Sequence, residues 1–295
     1  MSEPLSAKEL LELGERVLDY SDAIFEDHRN DDAARQLLAV SLRVTEDELD
    51  ELGPAYEPAR RQRERYLSLI ARRAGGEPLP FLTGRIEFYG LDLKVKPGAF
   101  VPRPSSEFIV ERAVRRLRRK VDPVVVDMCT GAGPIALAIG DEFPDAEVFG
   151  ADIDDQALQQ GRANARRLDI RNVALKQGDM YDALPNRIRG QVDVLTAHVP
   201  YVPREELDDL PAEVRDFEPL HTLTDESADG LGLMRATVIE APEWLKPGGW
   251  LLLEMSDDMA AKAKRLCRTA GFTDIATEHD EYKLSVVVEA RNPRR

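Results

Sequence analysis

Between Leu5 and about Ala74, apolar residues recur at helical spacing: Leu10, Leu11, Val17 and Leu18, then Leu37, Leu38, Val40 and Leu42, then Tyr66, Leu69 and Ile70. Such spacing puts them on one stripe of successive helices. Thr45-Glu46-Asp47-Glu48 has the form of a capping box, in which a Thr hydroxyl and a Glu carboxylate satisfy orphan backbone donors. Gly75-Gly76, with Pro78 and Pro80 behind it, ends the last helix, so residues 1–76 read as a helical domain. From Arg85 to Val95 the pattern shortens to alternation around Gly90, which predicts a hairpin inside a linker over 77–104. From Ser105 onward, short β-rich runs alternate with helical stretches: Val124–Asp127, Glu147–Asp152, Val173–Lys176, Val192–Leu195, Trp250–Glu254 and Ser285–Val288. This alternation predicts an α/β domain over 105–295, with a mostly parallel sheet covered by helices on both faces.

Composition narrows the class. The 295 residues suit two domains at about 150 residues each. With 43% hydrophobic and 32% charged residues the chain can bury a core, which excludes disordered and fibrous classes. Lys and Arg number 40 against 55 Asp and Glu, and the net charge of −15 repels phosphate backbones and anionic headgroups. Neither DNA nor a membrane is an expected partner, and the basic run Arg112–Lys120 reads as the solvated face of a helix. Cys129 and Cys267 are too few for a disulfide framework or a four-ligand zinc site, so no metal is expected and a reducing, cytoplasmic setting is. Met1-Ser2-Glu3-Pro4 lacks the basic and apolar regions of a signal peptide, and runs such as Trp250–Leu253 are too short to span a bilayer.

The chemistry gathers at strand ends. Asp127-Met128-Cys129-Thr130-Gly131-Ala132-Gly133-Pro134 closes the first strand and runs into the helical Ile135–Ile139. Glycines in such a turn let the backbone approach a ligand at the carboxyl edge of the sheet. The dinucleotide fingerprint fails for want of a third glycine at position 136, and Asp127 suits a cationic amine better than a pyrophosphate. Asp152 ends the second strand 19 residues after Gly133, where a carboxylate can accept both hydroxyls of a ribose. Gln177-Gly178-Asp179-Met180 follows the third strand, and its acid and apolar neighbour could bracket an adenine. An amine site, a ribose site and a base site on consecutive strands suit S-adenosylmethionine better than NAD. Taken singly, the glycines could merely turn the chain and the acids cap helices. After the fourth strand, His198-Val199-Pro200-Tyr201-Val202-Pro203 forms a proline-stiffened loop that can hold a planar group against a ring. A satisfied loop histidine and a packing tyrosine are the bland alternative there. His221 and His279 have no acid or cysteine at a ligand spacing and read as bystanders. No nucleophile elbow, P-loop or zinc-like spacing occurs.

These residues resemble the HemK/PrmC family of S-adenosylmethionine-dependent protein (glutamine-N5) methyltransferases, which modify the Gln of the Gly-Gly-Gln loop in peptide-chain release factors. The resemblance rests on Phe81-Leu82-Thr83-Gly84 with Glu87-Phe88, Val101-Pro102-Arg103-Pro104-Ser105-Ser106-Glu107, Val214–Pro219, Asp229-Gly230-Leu231 and Leu245-Lys246-Pro247-Gly248-Gly249-Trp250, and runs from the helical lobe nearly to the last residue. It implies a class I methyltransferase domain, Rossmann-like with a seven-stranded mostly parallel sheet, behind a helical N-terminal domain that helps recognise a protein substrate and a hairpin linker. A monomer acting on a release factor is expected. By position, Asp127, Cys129, Thr130, Gly131, Ala132 and Gly133 form the cofactor loop, Asp152 is the ribose acid, Asp179 and Met180 meet the adenine, and His198 borders the cofactor. Arg103 and Glu107 join His198 and Tyr201 on the substrate side. Cys129 stands where the family usually has glycine.

The family's catalytic tetrapeptide reads Asn-Pro-Pro-Tyr, and here it reads His198-Val199-Pro200-Tyr201. The family's Asn oxygen and the next backbone carbonyl accept the two hydrogens of the substrate amide. A neutral imidazole offers one acceptor nitrogen, where a carboxamide offers both acceptor and donor. Loss of one optimised hydrogen bond there would cost about 1 to 3 kcal/mol, roughly tenfold to a hundredfold in rate. Three readings stay open: glutamine methylation with His198 as the acceptor; methylation of another acceptor, a small molecule or a different protein side chain, with His198 as base; and a cofactor-binding module without catalysis. Adenine methylation of nucleic acid is a weaker branch, given the charge.

Overall fold

The computed structural model describes residues 4–24, 32–280 and 285–293, so Met1, Ser2 and Glu3 lie outside the described residues. Capping chemistry sets the helix starts. At α1 (Ala7–Asp19) the Ser6 side chain accepts from the Glu9 N–H while Glu9 accepts from the Ser6 N–H. After α2 (Ala33–Leu42), the predicted box at Thr45 and Glu48 opens α3 (Glu46–Leu52) in the same reciprocal way. Helix α4 (Arg60–Ala74) ends at Gly75. The first departure follows: α5 (Leu79–Thr83) is a short helix inside the stretch read as linker, because Pro80 falls in its first turn, where no backbone N–H is needed. The hairpin pairs β1 (Arg85–Phe88) with β2 (Leu91–Lys94), and Tyr89 and Gly90 both take positive φ, 49° and 76°, as a two-residue turn requires.

The chain continues through α6 (Glu107–Leu117), β3 (Val124–Met128), α7 (Pro134–Glu142), β4 (Glu147–Asp152), α8 (Asp155–Arg167), β5 (Val173–Gln177) and β6 (Val192–Ala197). After them come α9 (Ala212–Arg215), α10 (Gly232–Trp244), β7 (Leu245–Met255), α11 (Asp257–Thr269), β8 (Thr273–His279) and β9 (Val286–Arg291). Seven strands form one sheet in the order β5-β4-β3-β6-β7-β9-β8. Pairs from β5 to β7 are parallel and β9 is antiparallel to both neighbours, so the sheet is the mostly parallel one that the resemblance implies. The order reverses between β3 and β6, the kind of crevice in which open α/β sheets bind ligands.

Two compact units divide the chain. One comprises residues up to Ile86 with Val95–Pro97 and Asp208–Glu218; the other comprises Glu87–Lys94, Gly98–Leu207 and Pro219–Arg295. The first has its own core, in which Leu10, Leu37, Leu38 and Tyr66 of the predicted stripe are wholly buried. It also holds a buried ion pair, Arg73 Nη1 to Glu213 at 3.0 Å, between α4 and the returning segment that carries α9. The second unit packs the sheet beneath α10 and α11, with Met234, Val238, Ala263 and Cys267 buried. The basic run departs from its expected role here. Arg112 is buried and donates from Nε to Glu289 at 2.7 Å, and Arg116 reaches the same carboxylate while its guanidinium lies 3.5 Å from the Trp250 ring centroid. The interior acid of β9 needs both guanidiniums, which turns part of the run inward. Among the described residues no helix is long and apolar enough to cross a membrane.

Candidate active site

Register brings the strand ends together. Met128 is paired with both Ala151 and Ala197, and Asp152 with Gln177, so the loops after β3, β4, β5 and β6 leave one edge side by side. In the first loop Cys129, Gly131 and Gly133 all have positive φ, at 55°, 56° and 76°. The Gly131 N–H donates to Asp152 Oδ2 at 2.7 Å, and the Asp154 N–H donates to Asp152 Oδ1 at 2.9 Å. A side chain added at Gly131 would meet no atom of the described residues within 4 Å, which leaves the outer face of the loop open. Thr130 N–H donates to the Ala151 carbonyl at 3.0 Å, and Gly133 N–H to the Thr130 carbonyl at 2.8 Å, so the Thr130-Gly131-Ala132-Gly133 turn is fixed before any ligand arrives.

Asp127 lies beneath this loop, 1% exposed, with its two oxygens taken by the hydroxyls of Thr130 at 2.5 Å and Thr196 at 2.7 Å. The carboxylate that could hold a cationic amine is thus engaged by hydroxyls of the loop it underlies and of β6. Burial raises its pKa to about 7, against the two hydroxyl hydrogen bonds. Burial also pushes the Asp152 carboxyl up, and the Cys129 thiol well up, so Cys129 is a neutral packing group whose Sγ sits 4.0 Å from Met180 Sδ. That contact joins the first and third loops. Asp179 is exposed. Ile153, next to Asp152, is 63% exposed, a large apolar side chain turned outward at the ligand edge that the sequence reading passed over.

The fourth loop is built around two rings. His198 stacks on Tyr201 with centroids 5.8 Å apart and planes 21° apart, and meets Phe100 edge-on at 5.7 Å. The Arg103 guanidinium lies 4.5 Å from the Phe100 centroid. Val199 is buried, and the Val202 N–H donates to the Leu223 carbonyl at 3.0 Å. Gly230 explains one motif: a Cβ there would come within 2.0 Å of the Tyr201 carbonyl, so only glycine lets that segment press against the loop. Desolvation pushes the Tyr201 phenol up to about 12, so it is neutral at physiological pH. Glu107 accepts from the Tyr89 N–H at 2.7 Å, which ties the start of α6 to the hairpin turn.

Two side chains that the sequence reading missed complete the loop's inner wall. Ser106 and Glu254 are both buried, and Ser106 Oγ donates to Glu254 Oε1 at 2.8 Å. The signal was available, since Glu254 is an acid at the end of the otherwise apolar run Trp250–Leu253. Phe100 carried no motif that would mark it. His221 and His279, which have no acid at a ligand spacing in the sequence, meet acids in space: Asp154 at 3.3 Å and Asp257 at 2.9 Å. Both acids are distant in sequence, where no ligand spacing could reveal them.

Comparison with known proteins decides the family. Residues 120–287 match a methyltransferase-domain family model. Release factor glutamine methyltransferase of Geobacter sulfurreducens is 37% identical over 223 residues, which cover 76% of each chain. Its namesake in Burkholderia pseudomallei is 39% identical over 74% of this chain and 77% of the other. The chain belongs to this family. A third relative of the same name, from Moorella thermoacetica, is 40% identical over 70% of this chain and 72% of its own. Among solved structures, a 16S rRNA methyltransferase of T. thermophilus, determined with AdoMet and guanosine, aligns with TM-score 0.53 at 19% identity, covering 72% of this chain and 50% of that one. A methyltransferase from Pyrococcus furiosus aligns at 0.51 and 18%, over 69% and 90%. These distant alignments share the S-adenosylmethionine-dependent methyltransferase fold with the family.

Proposed function

We propose that this family member methylates the side-chain amide nitrogen of a glutamine in a peptide-chain release factor, with S-adenosylmethionine as donor. The observation that carries the reading is the paired departure of the glycine loop and the His198 loop from Met128 and Ala197, in a chain about 40% identical to release factor glutamine methyltransferases over 74% of its length or less.

The groups at the strand ends fit the cofactor's parts. Asp152 has each oxygen engaged by a single backbone donor, which leaves lone pairs for two ribose hydroxyls. Ile153 and Met180 offer apolar faces to a base, and Asp179 an acceptor for its exocyclic amine. The open face above Gly131 admits close backbone approach. When bound, the cofactor supplies a methyl carbon on a sulfonium sulfur, which retains the electron pair of the broken carbon–sulfur bond.

The chain's own residues orient the acceptor. His198 presents one ring nitrogen and Val199 its backbone carbonyl, two acceptors for the two hydrogens of a primary amide. The Tyr201 ring packs beside the imidazole, and the loop's bracing by Leu223 and Gly230 holds this geometry before substrate arrives. Orientation of this kind supplies much of the rate when the electrophile is already reactive. The test is incubation of the chain with S-adenosylmethionine and a release factor from the same source, followed by peptide mass spectrometry. A gain of one methyl group on the glutamine of the Gly-Gly-Gln loop is expected; an unmodified glutamine under saturating cofactor would refute the reading.

A further inference from the structure

His198 departs from the family's asparagine, and the structure pairs that departure with a specific neighbour. Ala197 is in register with Leu253, so the next residues, His198 and Glu254, leave β6 and β7 side by side. The Glu254 side chain is 5% exposed. Its Oε1 accepts from Ser106 Oγ at 2.8 Å and from Ser285 Oγ at 3.3 Å. Among the described residues its Oε2 has no hydrogen-bond donor, and it lies 3.5 Å from His198 Nδ1, a long charge–dipole contact. A buried carboxylate oxygen in that position is costly unless a donor faces it.

The hydroxyl of Ser106 settles which nitrogen carries the ring hydrogen. Ser106 Oγ also sits 3.5 Å from Nδ1, but its single hydrogen is committed to Glu254 at the shorter distance. Towards the ring it can only accept. Nδ1 thus faces two acceptors, Ser106 Oγ and Glu254 Oε2, and the hydrogen belongs on Nδ1. Nε2, across the ring, keeps its lone pair and has no hydrogen-bond partner among the described residues. A carboxamide in this place can orient an N–H but cannot hold its proton.

We propose that Glu254 is a positioning residue that fixes His198 as the Nδ1–H tautomer, so that Nε2 first accepts the substrate N–H and then receives the proton that the methylated nitrogen loses. This rests on the glutamine reading above. The nitrogen gains a bond to carbon and gives up one hydrogen as a proton; Nε2 takes it, the resulting imidazolium faces the Glu254 carboxylate, and water removes the proton after product leaves. Other charged or titratable groups around the ring are Tyr201 on the same loop, Arg103 over Phe100, and Asp258 of α11, the last two acting on Tyr201. Tyr201 stays neutral, so Glu254 is the anion that faces the imidazole directly.

The experiment has two arms. Nitrogen-15 NMR of the full chain without ligands, with the His198 ring assigned by its loss in His198→Asn, is expected to show a protonated Nδ1 and an unprotonated Nε2 in the neutral ring; the opposite tautomer overturns the proposal. In the second arm, Glu254→Gln is expected to move the hydrogen towards Nε2 and to lower kcat about a hundredfold or more with KM for the release factor nearly unchanged, as loss of tautomer control does in catalytic triads. In a His198→Asn background the same substitution should lose no more than about threefold, because a carboxamide has no tautomer to control. Equal losses in both backgrounds would mark Glu254 as structural support and overturn the proposal. A parent chain with the expected tautomer that leaves the release factor unmethylated would overturn the glutamine reading alone.

Discussion

At the scale of single residues, the glycine loop trades backbone strain for ligand access. Cys129 takes φ 55° without being glycine, a conformation that costs about 1 kcal/mol for an unbranched side chain and more for a branched one. Replacement by glycine should leave the melting temperature within a few degrees, whereas Cys129→Val should lower stability by a few kcal/mol, measurable by urea denaturation. Gly131→Ala separates folding from binding. The added methyl meets no atom of the described residues, so stability should fall by only about 1 kcal/mol, while calorimetric affinity for S-adenosylmethionine falls tenfold or more. Unchanged affinity would mean that no ligand approaches this face. Asp127 gives a pH signature. Its pKa is about 7 folded and about 4 unfolded, so the folded state binds the proton more tightly. Its contribution is complete below about pH 4 and is lost as pH rises through 7. Between those limits the parent should lose stability relative to Asp127→Asn as pH rises; parallel curves would contradict this.

At the scale of elements, legibility followed burial. The helices of the first unit and the strands β3, β4, β5, β6, β7 and β9 carry apolar stripes or runs that periodicity detects. Strand β8 escaped because Thr-Asp-Ile-Ala-Thr-Glu-His at a sheet edge buries neither face fully, so no alternation marks it. Helix α5 escaped because two prolines read as a breaker when one of them in fact starts the helix. The first three loops were legible as candidates because acids and glycines stood at strand ends in order, and the fourth because prolines flank its aromatic; the wall of Ser106, Glu254 and Phe100 was not, since residues distant in sequence meet there. Gly230→Ala probes this level. With a methyl forced to within 2.0 Å of the Tyr201 carbonyl, that loop must shift, so methyl transfer should drop by tenfold or more, while cofactor affinity should stay within about threefold if, as proposed, the other three loops hold the cofactor.

At the scale of the whole molecule, the chain leaves the sheet unit after Leu207, soon after Tyr201, joins the helical unit over Asp208–Glu218, and returns at Pro219. The segment Val214–Pro219, which drew attention in the sequence as a family motif, belongs mostly to the helical unit, and Arg73 with Glu213 staples that segment to α4. Removing one buried charge breaks this ion pair, so Glu213→Ala should destabilise the helical unit by about 3 to 5 kcal/mol in denaturant titration, and replacing both by apolar residues should recover much of the loss. The switch in periodicity near Gly76 was legible; the division at Ile86 and the return of a late segment to the early unit were not, because sequence order conceals them. The central claim concerns where the acceptor glutamine rests, and a crystal structure of the chain with S-adenosylhomocysteine and a Gly-Gly-Gln peptide tests it most directly. The glutamine amide is expected between His198 Nε2 and the Val199 carbonyl, with the nucleoside against Asp152. A glutamine bound elsewhere, or a nucleoside away from the Gly131 loop, would contradict it.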